Sequence, residues 1–552
     1  MRSSYSSFST RVTSQREVIP GRASEMGQND GGGFGFKVDP WARMRRFLIM
    51  GSEGGTYYVD QKQLTKDNAL NTLSCIDADG RRAVDLIADV STRNLAPKNT
   101  PAEFSLALAA SAKDAGTRAR ALSRLPEVCR IPSHLFHFVS FVRQFRGMGR
   151  GLKGSLRSWY QAKDLADLAY SVVKYQARDG FSNRDILRLV RPKAEDKARN
   201  GLYKWIVDGI GSFDEDPVTY EMLPQVVRAF EAGKTASRKE LISLISKYNL
   251  SHEMIPTEAK TDPDVWEALL ERMPPQALLR NLGNMSKCGL LRPLSSAAAA
   301  VIRKIADTES LRKRRVHPMA ILIAMKQYAS GKGLRGDGVW TPVPGVVDAL
   351  DTAFYDSFEG VEPTGKDILI GVDGSGSMMG SSFKGAGFWQ NPARDIAGTC
   401  LHPCEAAAAL ALACAKKEKN YYIMGYADQF RDLGITPRMR MDEVLSRTLF
   451  KTFGRTDCAI PMTWAEENKV GVDGFYILTD NDTYAGAIHP SQALRRYREK
   501  SGRNAKLAVV SMVPTGFSIA DPKDDGMLDV AGFGADVPAV VSDFMRGADG
   551  IV

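Results

Sequence analysis

The chain has 552 residues, 43% hydrophobic and 25% charged, the balance of a globular protein with more than one domain. No apolar run reaches 18 residues, so no membrane-spanning helix is predicted, and the Ser-, Arg- and Gly-rich first 24 residues lack the apolar segment of a secretory signal. The net charge of +10 is uneven: residues 361–552 carry 21 Lys and Arg against 24 Asp and Glu, a net −3, and the preceding 360 carry 53 against 40, a net +13. That split predicts a polyanion-binding part joined to a near-neutral part, although a basic solvated surface alone also fits the charge. Seven scattered cysteines, an odd number, point to free thiols in a reducing compartment such as the cytoplasm. Cys400, His402 and Cys404 lack a fourth ligand and the usual zinc spacing, and read as a coincidence in a loop.

Residues 1–24 are expected to form a disordered tail. A glycine-rich stretch, Gly31–Phe36, and an Arg-studded apolar segment, Trp41–Met50, follow. The run Gly51–Val59, with adjacent glycines and two tyrosines, reads as a turn packed by aromatics. From about Leu64 to Lys332 the pattern is helix after helix, with no convincing strand. Thr65 suits an N-cap, and Pro101, Pro132 and Pro224 suit first helical positions. Many short helix pairs in series predict an α-solenoid, with an irregular helical domain as the alternative.

Two basic segments stand out in this region. Arg143–Tyr160 holds five cations (Arg143, Arg146, Arg150, Lys153, Arg157) among glycines, and ends in Trp159-Tyr160. Glycine lets backbone approach phosphate and aromatics can stack on unpaired bases, so the segment fits an RNA contact; a helix–loop–helix with a solvated face fits equally. In the second segment Lys174 and Arg178 are four apart, and Arg184, Arg188 and Arg191 are four and three apart. Each set falls on one helical face, and the two faces could straddle a duplex backbone, setting affinity and register rather than sequence choice.

From Thr364 strands and helices alternate. Ile368–Val372, Tyr421–Tyr426, Phe475–Leu478 and Leu507–Met512 read as strands; Glu405–Ala415, Met441–Phe450 and Ser491–Arg498 read as helices. This is the period of a doubly wound, largely parallel sheet, whose ligands sit beyond the carboxyl ends of the strands. Three loops there carry oxygen donors: Asp373, Ser375 and Ser377 after the first strand, Thr456 before Pro461, and Asp480 after Phe475–Leu478. Hydroxyls with few carboxylates suit one hard cation such as Mg²⁺. A D-x-S-x-S loop with a separate Thr and a separate Asp resembles the metal-ion-dependent adhesion site (MIDAS) of von Willebrand factor A domains, and a vestigial site without metal is the alternative.

The resemblance extends beyond this domain. Gly51–Tyr58, Leu278–Gly283, His317–Ala324, Gly333–Gly336, Glu362–Lys366, Thr456–Met462 and Thr479–Gly486 are similar to blocks of the Ro 60 kDa autoantigen family, the TROVE proteins. The resemblance implies a HEAT-like helical repeat ring over 25–360, after the 1–24 tail, and a von Willebrand factor A-like domain with a MIDAS over 361–552. It further implies Y-like noncoding RNA on the ring's outer surface, single-stranded 3′ ends of misfolded RNAs in its hole, a role in RNA quality control and decay, and an exoribonuclease partner (polynucleotide phosphorylase). The family's Y RNA contacts carry over to Lys174, Arg178 and Arg191, the last being His in animal members. Ser381–Thr399 looks like an insertion beside the metal loop. No catalytic role is expected: the cation motif brings no His or Lys base and few carboxylates, which weighs against a hydrolase. The rival reading is a metal-dependent protein-adhesion module on a protein-binding helical scaffold.

Overall fold

The computed structural model describes residues 12–52, 61–214, 217–333, 338–378, 401–449, 455–534 and 536–547. The chain divides into two units, one of residues 1–68 with 355–552 and the other of residues 69–354. The N-terminal segment thus packs with the C-terminal α/β unit.

That unit is built on a six-stranded sheet in the order Met527–Ala531, Lys506–Ser511, Gly474–Thr479, Asp367–Asp373, Asn420–Tyr426, Phe430–Asp432. All pairs are parallel except the last. The β-branched strand Asp367–Asp373 sits centrally, with Val372 level with Leu478 and Asp373 level with Tyr426. Leu369, Phe475, Ile477, Leu507 and Val509 face Met462, Leu494 and Tyr497 of the helices Ile460–Glu467 and Pro490–Ser501. The helix Pro403–Ala415, apolar on every side, is almost wholly buried. Cys404 belongs to this helix, not to a loop.

Residues 12–24 are not a disordered tail. Ile19, Met26 and Phe36 form a small core, and Met26–Gln28, Phe34–Lys37 and Phe517–Ser518 pair as an antiparallel sheet. Arg22 pairs with Asp521 at 2.6 Å. The Arg-studded segment is a helix, Pro40–Met50, capped by Asp39. Its Arg46 donates to the carbonyls of Thr515 and Phe517 at 2.9 and 3.0 Å and pairs with Asp529. Composition misled here because polar side chains are fixed by partners more than 450 residues away.

The second unit is a series of short helices. Thr100–Ala109 lies on Pro132–Phe145, with Phe104 edge-on to Phe141 at 5.3 Å. The start of the series meets its end: Asn94 Nδ2 donates to the Arg315 carbonyl at 2.8 Å, and the Arg315 guanidinium donates to the Thr92 carbonyl. This contact closes the helical array upon itself. Thr65 lies inside the helix Gln61–Ala78 rather than at its cap, and Pro224 is an N-cap rather than a first helical residue. The region also holds a β-hairpin, Ala177–Arg178 with Phe181–Ser182, contrary to the all-helix expectation. No helix among the described residues is long and apolar enough to cross a membrane. Most of the Gly51–Val59 turn and the whole Ser381–Thr399 stretch lie outside the described residues.

Candidate metal centre and nucleic-acid interface

Asp373 ends the central strand, so its carboxylate emerges at the carboxyl edge of the sheet, where Thr479 ends the neighbouring strand. Thr479 Oγ1 donates to Asp373 Oδ2 at 2.6 Å, and the Ser375 amide donates to Asp373 Oδ1 at 2.9 Å. The hydroxyls of Ser375 and Ser377 lie 2.9 Å apart. Ser377 also hydrogen-bonds Asp480. Thr456 comes from the third loop, where its carbonyl accepts the amides of Tyr484 and Ala485, both at 3.0 Å. That loop is held to the edge of the sheet by the next amide, Asp457 to Ala427. All five candidate ligands are buried.

Burial raises the proton affinity of both carboxylates, and Asp480 raises that of Asp373 further. Two acids buried together are charged only at a cost unless a cation balances them. The donor set is all oxygen, with two carboxylates and three hydroxyls, and fits a hard divalent cation. No cluster of three or more His, Cys, Asp or Glu suited to metal occurs among the described residues, so hydroxyls would supply much of the coordination. Two further residues were not legible from spacing. Gln15 is fully buried: its amide donates to Asp457 Oδ1 at 2.6 Å, and its carbonyl accepts the Thr483 hydroxyl at 2.5 Å. Asp482 accepts the Asp30 amide at 3.2 Å, and burial raises its proton affinity well above the usual range.

The basic residues of the helical unit fall on adjoining elements. In the helix Arg150–Gln161, Leu152, Leu156, Trp159 and Tyr160 are buried at helical spacing, which leaves Arg150 and Arg157 exposed and Lys153 half-buried. Arg157 Nε donates to the Val190 carbonyl at 3.0 Å, beside Arg191. In Asn183–Val190 the buried face is Ile186, Leu187 and Val190, and Arg184 and Arg188 are exposed. Arg191 caps this helix in the left-handed conformation and is exposed, so it does not continue the helical face of Arg184 and Arg188.

Two sequence expectations are corrected here. Trp159 and Tyr160 cannot stack on bases, because both are core residues: the indole N–H donates to the Cys129 carbonyl at 2.5 Å and the phenol to Asn183 Oδ1 at 2.9 Å. Lys174 and Arg178 do not share a helical face. Lys174 is the last residue of Leu165–Lys174; its side chain is only 14% exposed and faces Glu253 at 3.8 Å. Arg178 is exposed on the hairpin, whose turn residues Asp179 and Gly180 both have positive φ, 51° and 75°. A two-residue Asp-Gly turn of this kind is the signal that the helical reading passed over.

A doubly wound α/β unit with oxygen-rich loops at its carboxyl edge defines a von Willebrand factor A-type domain, here joined to a closed array of helices. Residues 368–545 match the Ro60 vWA domain, and residues 27–249 and 247–327 match the TROVE domain. The chain belongs to the Ro60 (TROVE) family. It is 39% identical to the RNA-binding protein RO60 of Deinococcus radiodurans, over 94% of this chain and 95% of that protein. It is 32% identical to the RNA-binding protein RO60 of Caenorhabditis elegans, over 97% and 92%. The crystal structure of the D. radiodurans RO (RSR) protein superposes with a TM-score of 0.67 at 37% identity, covering 92% of this chain and all of that one.

Proposed function

We propose that this protein binds RNA through the basic face formed by Arg150, Lys153, Arg157, Arg178, Arg184, Arg188 and Arg191. The observation that carries the reading is that these exposed or half-buried cations lie on three adjoining elements, two helices and a hairpin, in the part of the chain with net charge +13. Exposed arginines that are spaced along helix ends contact phosphates, and phosphate contacts suit a structured RNA without reading its sequence. The RNA-binding relatives support the same partner. In this reading a Y-like small noncoding RNA lies on the basic face. Single-stranded 3′ ends of misfolded RNAs enter the closed helical array, and the protein serves RNA quality control in the cytoplasm with an exoribonuclease as partner. It is not itself an enzyme.

Asp373, Ser375, Ser377, Thr456 and Asp480 would hold Mg²⁺ or a similar cation. The cation would supply positive charge for the carboxylate of a protein partner. This keeps the adhesion chemistry as a second role of the same chain.

The test is RNA binding as a function of salt. The double variant Arg178→Ala/Arg191→Ala should weaken binding of a structured small RNA by about tenfold per contact, and should lower the salt slope by about 2. Lys174→Ala should have the smaller effect, because its ammonium already faces Glu253. Binding of a single-stranded 3′ end should persist in both variants. Unchanged affinity for the structured RNA in the double variant would remove the assignment of this face.

A further inference from the structure

Arg178 is carried by a hairpin of only two ladder pairs, Ala177 with Ser182 and Arg178 with Phe181. A hairpin this short does not hold its shape alone. It is tied to the helix Pro132–Phe145 at two places. Arg143 lies over the Phe181 ring at 5.4 Å. His137, two turns earlier, reaches the turn itself: its Nε2 is 3.0 Å from Asp179 Oδ2.

The same imidazole has a second carboxylate behind it. Nδ1 of His137 is 2.7 Å from Oε2 of Glu103, which is 1% exposed on the helix Thr100–Ala109. Glu103 is itself fixed, its Oε1 accepting Asn99 Nδ2 at 2.9 Å. The His137 ring thus links three elements in one line, from a buried acid through a helix to the tip of the hairpin. A neutral imidazole has one N–H and can donate to one carboxylate only; both contacts are hydrogen bonds when the ring carries both protons.

We propose that His137 is a positioning residue for the phosphate contact at Arg178, clamping the Ala177–Ser182 hairpin to the helical array through Asp179. The proposal rests on the reading of Arg178 as an RNA ligand. The charged groups around the ring divide as the clamp requires. Burial and Arg178 oppose the imidazolium, whereas the Glu103 hydrogen bond and the charges of Glu103 and Asp179 favour it, and the net effect raises its pKa above the ordinary 6.5. His134, one turn earlier, lies 3.7 Å from the other Glu103 oxygen, but burial lowers its own pKa, so it stays neutral where His137 is charged. The imidazolium also occupies the Asp179 carboxylate. Without it, that carboxylate is left beside Arg178, where it competes with phosphate.

Asp179→Asn separates the clamp from simple electrostatics. Asn tolerates the left-handed conformation at this position, so the turn is kept. Removing a negative charge beside Arg178 should by itself tighten RNA binding; loss of the clamp should weaken it. The experiment measures binding of a short synthetic RNA stem-loop between pH 6 and 8, together with hydrogen exchange of residues 177–182 in the RNA-free protein, corrected for intrinsic rates. The wild type is expected to lose affinity as pH rises through the His137 titration, and its hairpin amides to exchange faster. Asp179→Asn and His137→Gln are expected to bind about tenfold more weakly with a flat profile over that range. Equal or tighter binding by Asp179→Asn, with unchanged exchange, overturns the clamp. If Arg178→Ala leaves affinity unchanged while Asp179→Asn still accelerates exchange, the RNA assignment of Arg178 fails and the clamp stands. If Arg178→Ala weakens binding and Asp179→Asn does not, the reverse holds.

Discussion

His317 shows at the scale of one residue how the helical unit depends on pH. It is buried at the start of Pro318–Ala329, where its Nδ1 accepts the Met319 amide at 3.2 Å as an N-cap. Burial pushes its pKa down to about 4. Above pH 6.5 the ring is neutral whether the chain is folded or not. As pH falls from 6.5 the unfolded chain takes up a proton that the folded ring refuses until about pH 4. Stability is therefore lost across that window, on the order of 3 kcal/mol in all. His317→Asn keeps a capping acceptor but removes the titration. Thermal unfolding followed from pH 7 to 4 should show a shallower loss in this variant than in the wild type, and equal slopes would mean that His317 is not the group responsible.

Among elements, the N-terminal strap is the least expected. The Gln15 side chain makes four hydrogen bonds within the loops around the candidate metal site, to Asp457, Ile488, Thr483 and Gly486. Gly33 comes so close that a Cβ there would meet the Thr483 carbonyl at 2.0 Å. Gln15→Ala leaves several buried partners unpaired, at a cost of roughly 1–3 kcal/mol. It should lower the unfolding midpoint of the α/β unit and weaken Mg²⁺ binding in calorimetry; Mg²⁺ affinity equal to the wild type would show that the strap does not set the loops. This element also marks the limit of what the sequence discloses. The strands around Ile370 and Ile477 are legible because short continuous apolar runs, Ile368–Ile370 and Phe475–Leu478, are bounded by turn residues. The candidate metal ligands can be picked out because their spacing is local within each loop. The strap cannot be, because Gln15 looks like any polar residue until a partner 442 positions away is placed beside it. The hairpin is hidden in the sequence because Lys174 and Arg178 satisfy helical spacing by accident, and strands of two residues leave no period to read. Trp159 and Tyr160 mislead because Arg150, Lys153 and Arg157 precede them, although Leu152 and Leu156 already mark that face as core.

For the whole molecule, the charge division and the two sites assign different physics to the two parts. The helical unit, residues 69–354, carries 43 Lys and Arg against 31 Asp and Glu, a net +12, and the exposed arginines, so its binding should be governed by phosphates and ionic strength. The α/β unit carries 31 Lys and Arg against 33 Asp and Glu, a net −2, and holds Asp373 and Asp480 of the candidate site buried, so that site should respond to the cation rather than to salt. A cation that binds the folded site alone stabilises that unit by about 2.7 kcal/mol when present at a hundred times its dissociation constant. Chelation should therefore lower the unfolding midpoint of the α/β unit, and Asp373→Ala should abolish this response while leaving the helical unit's transition in place. The salt slope of RNA binding should be the same with and without chelator. If chelation instead removes RNA binding at constant ionic strength, the cation contributes to the RNA site and the separation of roles is wrong. If the slope is kept, the cation acts on the protein alone, and the partner it serves is to be sought by its carboxylates rather than by its affinity for RNA.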